Sequence, residues 1–221
     1  TFAETLRGAG DAINLLKEDR RLMFMMPYQW SFGVTAAFVT FYINGTIIAG
    51  SDSLGDTWVG LLSAIITVTG ASMALPIAYI SSQVGKGPVM YFGGISLGFV
   101  GFITFFVSDT TLGTFSWIVP LLVVFGMGRG AWENTNKAVI ADLYADTPEQ
   151  STSAFANVNF SGGISGAFAY LIFGVCSRTV MSSIVVGTAV LAIAGYTQAI
   201  SLHSRIKEQM AAYEKEDPIE A

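Results

Sequence analysis

The hydrophobic positions of the chain fall into six long runs that are separated by short polar segments. Each run is about 20 residues long, which is the length that an α-helix needs to cross the hydrocarbon core of a bilayer. The pattern therefore predicts an all-α membrane protein with six transmembrane helices. The predicted spans are residues 22–48, 58–80, 89–107, 115–140, 153–176 and 180–202.

The polar residues outside these runs gather at the two ends of the chain. Within residues 1–21, the segment DAINLLKEDRR is charged and amphipathic, and it predicts a helix that lies on the membrane surface. Residues 22–203 are expected to form one transmembrane domain. From residue 204 to residue 221 the sequence becomes strongly charged, which predicts a solvated tail that is helical at first and then frays.

The overall composition supports a membrane protein and excludes other classes. Charged residues make up only 12% of the chain and hydrophobic residues 52%, with a mean hydropathy of +0.56. Soluble domains usually carry about 25% charged residues, so this chain has too few to cover a water-exposed surface. It has no basic stripe, so nucleic acid is not an expected partner. A single cysteine, Cys176, excludes an internal disulfide and a cysteine metal cluster.

Lysine and arginine are distributed unequally between the two sides that six spans define. One side receives eight of them, the other receives only Arg178, and two more lie inside the fourth span. Because basic loops stay on the cytosolic side, both termini are expected to face the cytosol, or the stroma or matrix of an organelle. The eight residues are Arg7, Lys17, Arg20, Arg21, Lys86, Arg205, Lys207 and Lys215.

The fourth predicted span contains charged and amide side chains in the sequence GMGRGAWENTNK. Arg129 is near its middle, where a charge costs roughly 2.5–3.5 kcal/mol. At about 100° per residue, Glu133 and Asn136 share its face, so the stripe is expected to face the bundle interior or a water-filled cavity. Two interpretations fit: a solute or proton pathway, and an Arg129–Glu133 ion pair that locks the helix to its neighbours. Lys137 is expected to extend towards the interface.

Small residues one turn apart predict close helix packing in two other spans. Gly94 and Gly98 have this spacing in the third span, and Gly162 and Gly166 have it in the fifth. Such pairs let two helix backbones approach each other. Packing within the chain is the simpler interpretation, and a seam for a second molecule is the alternative.

An enzymatic function is not expected. Six spans and the sequence Gly163-Ile164-Ser165-Gly166 resemble the rhomboid intramembrane proteases, in which a serine pairs with a histidine. The only histidine of this chain, His203, is at the cytosolic end of the sixth span, about 18 Å from Ser165 along the membrane normal. A catalytic serine needs its base within about 3 Å, and Ser165 is also on the wrong span for that family.

A more extensive resemblance is carried by residues 126–142, GMGRGAWENTNKAVIAD, and by residues 154–157, AFAN, after an acidic loop. These segments resemble the tenth and eleventh helices of the UNC-93-like branch of the major facilitator superfamily. The turn Gly85-Lys86-Gly87-Pro88 is similar to the loop between the eighth and ninth helices of such proteins. By this resemblance, the chain covers the C-terminal six-helix half.

The resemblance implies two inverted three-helix units around a central cavity between two six-helix halves. The first helix of each unit would line that cavity. In this chain these helices are the first and fourth spans, and the cavity residues that the resemblance implies are Gln29, Tyr42, Asn44, Arg129, Glu133 and Asn136.

Two functions are therefore expected as alternatives. The first is solute or ion transport, in which Arg129 and Glu133 bind the solute or couple protons; a single half is not expected to transport alone. The second is an accessory or regulatory subunit of a larger membrane complex, with the glycine-rich faces of the third and fifth spans against partners. The expected partners are the lipid bilayer and either a second six-helix half or other membrane subunits. The chain begins at Thr1, so we expect either a removed presequence or a longer parent chain.

Overall fold

The computed structural model describes residues 2–216, and all regular elements within that range are helical. The predicted all-α fold is therefore confirmed for this part of the chain. The helices are α1 (Phe2–Glu18), α2 (Arg20–Ile48), α3 (Asp56–Val84), α4 (Lys86–Ile103), the short α5 (Asp109–Leu112), α6 (Phe115–Leu143), α7 (Pro148–Phe173) and α8 (Arg178–Glu216).

Five of the helices in residues 2–216 are long and apolar enough to span a membrane. They are α2, α3, α4, α6 and the Arg178–Tyr213 part of α8, and they identify a multi-pass membrane protein. The fifth predicted span corresponds to α7. Its 26 residues reach across a bilayer, but glycine, serine and asparagine reduce its hydropathy, so it is not in this set.

Several boundaries differ from those predicted. The third span ends at Ile103, and the chain then bends into α5 instead of continuing to residue 107. The sixth predicted span and the start of the tail form one helix of 39 residues, α8. The remainder of the predicted tail, residues 217–221, lies outside the described residues.

The predicted turn at residues 85–88 is reduced to one residue. Helix α3 continues to Val84 and α4 begins at Lys86, so Gly87 and Pro88 belong to the first turn of α4. Gly85 has a φ of 85°, which L side chains rarely adopt, and this explains why glycine makes the connection. Proline is tolerated at the start of a helix because the first N–H groups have no partner within the helix.

The ends of the six long helices meet at two opposite ends of a bundle. At one, which we call the terminal end, Arg21 donates to the carbonyl oxygen of Leu143 at 3.1 Å, and Lys86 pairs with Asp142 at 2.6 Å. At the other, the loop end, Ser51 donates to the carbonyl oxygen of Gly113 at 2.7 Å. Each long helix therefore begins at the end of the bundle where the preceding long helix stops, so successive long helices are antiparallel.

Five pairs of long helices form the main packing contacts. They are α2 with α7, α2 with α8, α3 with α6, α4 with α6, and α4 with α8. Buried apolar side chains fill the space between them, including Phe38, Leu122 and Phe173 in one cluster and Met25 and Ile140 in another. Within a bilayer such contacts stabilise a bundle through close packing rather than through removal of water.

The predicted glycine pairs lie where helices of this chain approach each other. A methyl group on Gly94 would come within 2.9 Å of Ile193 Cγ1, and one on Gly98 within 2.8 Å of Ala189 Cβ, so both glycines face α8. On α7, the equivalent position on Gly166 lies 3.2 Å from the carbonyl oxygen of Gly33 in α2. These glycines therefore bring helices of the same chain together.

The amphipathic segment that precedes the first span forms helix α1, and one face of α1 packs on the bundle. Ala12 and Leu15 are buried, and the side-chain amide of Asn157 in α7 donates to the carbonyl oxygen of Ala12 at 2.7 Å. Helix α1 is thus attached to the terminal end of the bundle through α7.

Candidate functional site

A network of buried amide groups connects α2 to α6. Gln29 Nε2 donates to Asn136 Oδ1 and Asn136 Nδ2 donates to Gln29 Oε1, each at 3.1 Å. The indole N–H of Trp132 donates to the same Gln29 oxygen at 2.8 Å. Gln29 and Asn136 are both fully buried, so within the membrane these bonds take the place of water.

Local helix geometry places Asn136 in this network. Residues Trp132–Asn136 form a π-helical segment within α6, and a π-turn is wider than an α-turn because its hydrogen bonds connect residues i and i+5. The wider turn changes the angle between Asn136 and the residues before it. As a result, Asn136 points to α2 rather than sharing one face with Arg129 and Glu133.

Arg129 and Glu133 form an ion pair on a different and more open face of α6. Arg129 Nε lies 2.8 Å from Glu133 Oε1, and the side chains are 35% and 37% exposed. Gly70 of α3 is a neighbour of the arginine, since a methyl group built on Gly70 would lie in ordinary contact with Arg129 Cδ, at 3.9 Å. The pair is therefore near α3 and accessible from outside the six-helix bundle.

This exposure matters because the pair is near the middle of α6. Ionised side chains in membrane spans face a protein interior or a water-filled cavity, because contact with lipid costs several kcal/mol, about 2.5–3.5 on insertion scales. The open face beside Arg129 and Glu133 is therefore suited to water or to a further protein surface rather than to lipid.

A groove of about 410 Å³ lies between α2 and α7. Its floor consists mainly of glycine and alanine, and aromatic rings stand at its edges. The Phe32 and Trp132 rings are stacked, with centroids 3.8 Å apart and planes 9° from parallel. The other lining residues are Gly33, Ala36, Ala37, Asn159, Gly162, Gly163, Gly166, Ala167 and Tyr170.

Lys137 contacts Trp132, one of the aromatic residues that line this groove, although Lys137 is not itself a lining residue. Its Nζ atom lies 5.8 Å from the centroid of the Trp132 ring, five residues earlier in α6. Helical side chains point towards the N-terminus of their helix, and the π-turn brings residues five apart into register. The prediction that Lys137 extends towards the interface stays a prediction; in the structure its side chain is exposed and contacts Trp132.

Asn44 and Tyr42 lie apart from the amide network. Asn44 Nδ2 donates to Ser63 Oγ of α3 at 3.0 Å, and the Tyr42 hydroxyl donates to Asp109 Oδ1 at 2.7 Å. Both residues are in the π-helical segment Val39–Ile48 of α2, towards the loop end. The structure thus brings Gln29 and Asn136 together and leaves Asn44 in a separate contact.

Lys86 of the predicted turn stabilises the end of a neighbouring helix. Its Nζ atom donates to the carbonyl oxygen of Ala138 at 3.1 Å and pairs with Asp142 at 2.6 Å. A cation near a helix C-terminus is favourable because the helix dipole places partial negative charge there. Lys86 therefore couples the start of α4 to the C-terminal part of α6.

A polar cluster at the terminal end was not found from the sequence. Asp19 Oδ2 accepts hydrogen bonds from Arg21 and from the Tyr144 hydroxyl, each at 2.8 Å, and Arg21 also contacts His203 Nδ1 at 3.2 Å. Burial alone would raise the pKa of Asp19, but the hydrogen bonds from Arg21 and Tyr144 outweigh it and hold that pKa below its ordinary value. Burial raises the pKa of Tyr144, and its bond to Asp19 adds to the effect.

Only part of this cluster has a local signal in the sequence. Asp19 precedes α2 as its N-cap and accepts a hydrogen bond from the Arg21 backbone N–H at 2.8 Å. Aspartate is a preferred residue at that position. Tyr144 and His203 are far away in sequence, so their contacts follow from the packing of helices.

A second polar cluster, at the loop end, contains the single basic residue predicted there. Arg178 pairs with Asp109 at 2.8 Å and donates to the carbonyl oxygens of Thr104 and Val107. It thereby satisfies carbonyl groups after the C-terminus of α4. Within residues 2–216, no group of three or more His, Cys, Asp or Glu side chains is arranged to hold a metal ion.

Comparison of the chain with protein-family models, curated proteins and solved structures gives no match.

Proposed function

We propose that this chain is one six-helix half of a membrane transporter of the UNC-93-like major facilitator type, and that it works with a second six-helix unit. The observation that carries the proposal is the Arg129–Glu133 pair, which is about one third exposed near the middle of α6. A charged pair in that position must contact protein or water instead of lipid. In the proposed assembly, the pair faces a central cavity between this chain and a second six-helix half.

The pattern of helix contacts supports two repeated three-helix units. If α2, α3 and α4 are exchanged for α6, α7 and α8, the contact of α2 with α7 becomes that of α6 with α3. The contact of α2 with α8 becomes that of α6 with α4, and α4 with α8 becomes itself. All five main contacts are retained, which is expected for two units related by a pseudo-twofold axis in the membrane plane.

The first helix of each proposed unit has a related irregularity. Helix α2 contains a π-helical segment at Val39–Ile48, and α6 contains one at Trp132–Asn136. Both lie in the second part of their helices. Single π-turns are rare and frequently occur at functional sites. The amide bonds between Gln29 and Asn136 also connect these two helices, which supports their role as the centre of the domain.

In this proposal both terminal segments face the cytosol, or the stroma or matrix of an organelle. The excess of lysine and arginine on that side supports the orientation. The contact of Arg21 with His203 is consistent with it, because it joins the start of α2 to the C-terminal part of α8 at one end of the bundle.

The accessory-subunit alternative depended on glycine-rich faces that are available to partners. Gly94 and Gly98 face α8, and Gly166 faces α2. The glycine-rich face of α4 is therefore occupied within the chain, and a scaffold function would have to use the open side of α7 beside Gly163.

The proposal is tested by solute uptake into proteoliposomes that contain the complex purified from native membranes. Vesicles with the wild-type chain, Glu133→Gln or Glu149→Gln are incubated in the same solute mixture. The solutes that accumulate inside them are identified by mass spectrometry. We expect Glu133→Gln to reduce accumulation at least about 10-fold, as loss of an essential charged group does. Glu149 is exposed at the start of α7 and serves as the matched control. Absence of accumulation by the complex, or equal accumulation by all three, contradicts the proposal.

A further inference from the structure

The groove between α2 and α7 has a flat floor. Gly33, Gly162, Gly163 and Gly166 leave the backbones of both helices close together, and Gly163 has open space on its outer side. Such a surface, without side chains that project from it, accommodates a planar group. Volumes of about 300–1,000 Å³ are typical of small-molecule sites, and this groove, at about 410 Å³, has room for a ligand of one or two rings.

Aromatic rings border this floor at both ends. Phe32 and Trp132 stand at one end, and Tyr170, which is 44% exposed, stands at the other. Asn159 precedes Tyr170 by 11 residues in α7, which corresponds to about 16 Å along the helix. The groove is therefore a long slot whose polar side chains are at its two ends.

A positive charge lies close to the Trp132 ring, which borders the slot. Asn159 is one helical turn before Gly163. A methyl group built on Gly162 would lie 3.7 Å from Cζ2 of Trp132. The Phe32 ring covers one face of Trp132, and the Lys137 ammonium lies 5.8 Å from the centroid of the same indole ring. Lys137 follows Trp132 in α6, which ends at the terminal end, and Asn159 precedes Gly162 in α7, which begins there. Both residues therefore lie on the terminal-end side of the contact between Trp132 and Gly162.

The charges near this site are not balanced. Glu133 is already paired with Arg129 at 2.8 Å. Among the side chains that the structure describes, no carboxylate lies within ion-pair distance of Lys137. The Lys137 charge is therefore not balanced by any of these carboxylates, which favours an anion over a cation as its partner. A sugar-like ligand would need several hydrogen-bonding groups, which a floor of glycine and alanine does not offer.

We propose that this slot binds a planar aromatic carboxylate, with the ring on the glycine floor and the carboxylate between Lys137 and Asn159. The inference rests on the proposed function, in that the face carrying the slot is the solute-facing interior of the assembly. A charge-assisted hydrogen bond from Lys137 and a neutral one from the Asn159 amide would orient the anion.

The test uses 2-naphthoate and its neutral counterpart 2-naphthamide as probes for the intact protein in lipid nanodiscs. Isothermal titration gives the dissociation constant of each probe for the wild type, Lys137→Gln, and the control Lys207→Gln on the exposed part of α8. We expect 2-naphthoate to bind more tightly than 2-naphthamide. Lys137→Gln should weaken naphthoate binding about 10-fold and leave naphthamide unchanged, while Lys207→Gln should change neither.

A second variant tests the floor of the slot without altering any charge. Ala167 is exposed in the groove, so Ala167→Phe fills the slot and should abolish binding of both probes. The proposal is overturned if the two probes bind the wild type equally, if Lys137→Gln and Lys207→Gln act alike, or if Ala167→Phe binds normally.

The outcomes separate this inference from the proposed function. If the complex accumulates other solutes but naphthoate does not bind, the slot assignment fails and the transporter proposal stands. If naphthoate binds as described but the complex accumulates no solute, the slot assignment stands and the transporter proposal fails.

Discussion

Gln29 of α2 and Asn136 of α6 exchange two amide hydrogen bonds, each 3.1 Å long, and both side chains are fully buried. Removing Asn136 leaves Gln29 Nε2 without its 3.1 Å acceptor, while Gln29 Oε1 keeps its bond from the Trp132 indole N–H. Removing Gln29 leaves both the Asn136 amide and the Trp132 indole N–H unpaired in a place that water does not reach. Such a loss typically costs about 1–3 kcal/mol. The pair therefore holds together the first helices of the two proposed three-helix units.

Asn136→Leu is expected to reduce the free energy of unfolding by about 1–3 kcal/mol, because it removes the acceptor of Gln29 Nε2. The double variant Gln29→Leu/Asn136→Leu should lose less than the sum of the single losses, since neither amide is then left alone. Unfolding in mixed micelles measures these values. Asn159→Leu, at an exposed position on α7, is the control. Additive losses in the double variant would contradict the direct pairing.

Gly98→Ala is expected to destabilise the bundle by about 1–3 kcal/mol, the usual cost of overpacking. The added methyl group would come within 2.8 Å of Ala189 Cβ in α8. Ala189→Gly should restore part of the lost stability when it is combined with Gly98→Ala, because it removes the opposing methyl group. The control is Gly163→Ala, whose added methyl group meets open space. If Gly98→Ala leaves the free energy of unfolding unchanged, α4 and α8 are farther apart than this contact requires.

Asp19 should contribute stability that disappears on acidification. Its pKa is held below the ordinary value in the folded protein, so its stabilising effect is complete above the unfolded-state pKa of about 3.9 and is lost as the pH falls through the folded-state pKa. Asp19→Asn should therefore be less stable than the wild type at pH 7, by about 1–3 kcal/mol.

Unfolding measured between pH 7 and pH 2.5 checks this expectation. The stability gap between the wild type and Asp19→Asn should narrow towards the acidic end, because the wild-type carboxyl becomes protonated there. Asp52→Asn, in an exposed loop at the opposite end of the bundle, should show no gap. A gap that stays constant with pH would mean that the charge of Asp19 contributes nothing.

The Arg129–Glu133 pair predicts a difference between single and double variants. Glu133→Gln leaves the arginine charge uncompensated near the middle of α6, whereas Arg129→Gln/Glu133→Gln removes both charges. We expect the single variant to insert into membranes less efficiently, by about 1–2 kcal/mol on insertion scales, and the double variant to recover. A glycosylation-based insertion assay measures both. Equal insertion of the single and double variants would show that the pair is fully hydrated.

The lengths of the apolar runs were sufficient to predict where the long helices lie in the sequence, because each run has about the number of residues that a helix needs to cross a bilayer. The spacing of Arg129 and Glu133 likewise predicts a contact one turn apart, and the two side chains are 2.8 Å apart. The position of Asn136 could not be obtained in this way. The π-turn at Trp132–Asn136 is stabilised by bonds to Gln29, more than 100 residues away, and no local pattern encodes it.

The same limit applies at the terminal end of the bundle. The Tyr144 hydroxyl and Asp19 are 125 residues apart in sequence, and they meet only because α2 begins where α6 ends, at the terminal end of the bundle. Helix α7 is a case in which tertiary contacts weaken the hydropathy signal of a predicted span. Its asparagines, serines and glycines make it less apolar than a typical span, although they serve contacts with α1 and α2.

The most direct test of the central claim is the intact mass of the native protein, purified in mild detergent with any chains that accompany it. The account predicts an assembly in which this six-helix unit is joined to a second one, within one polypeptide or between two, with a protein mass of roughly twice 23.5 kDa. A chain of 23.5 kDa that is recovered only within a large complex of unrelated membrane subunits, without a second six-helix unit against the Arg129–Glu133 face, would contradict it.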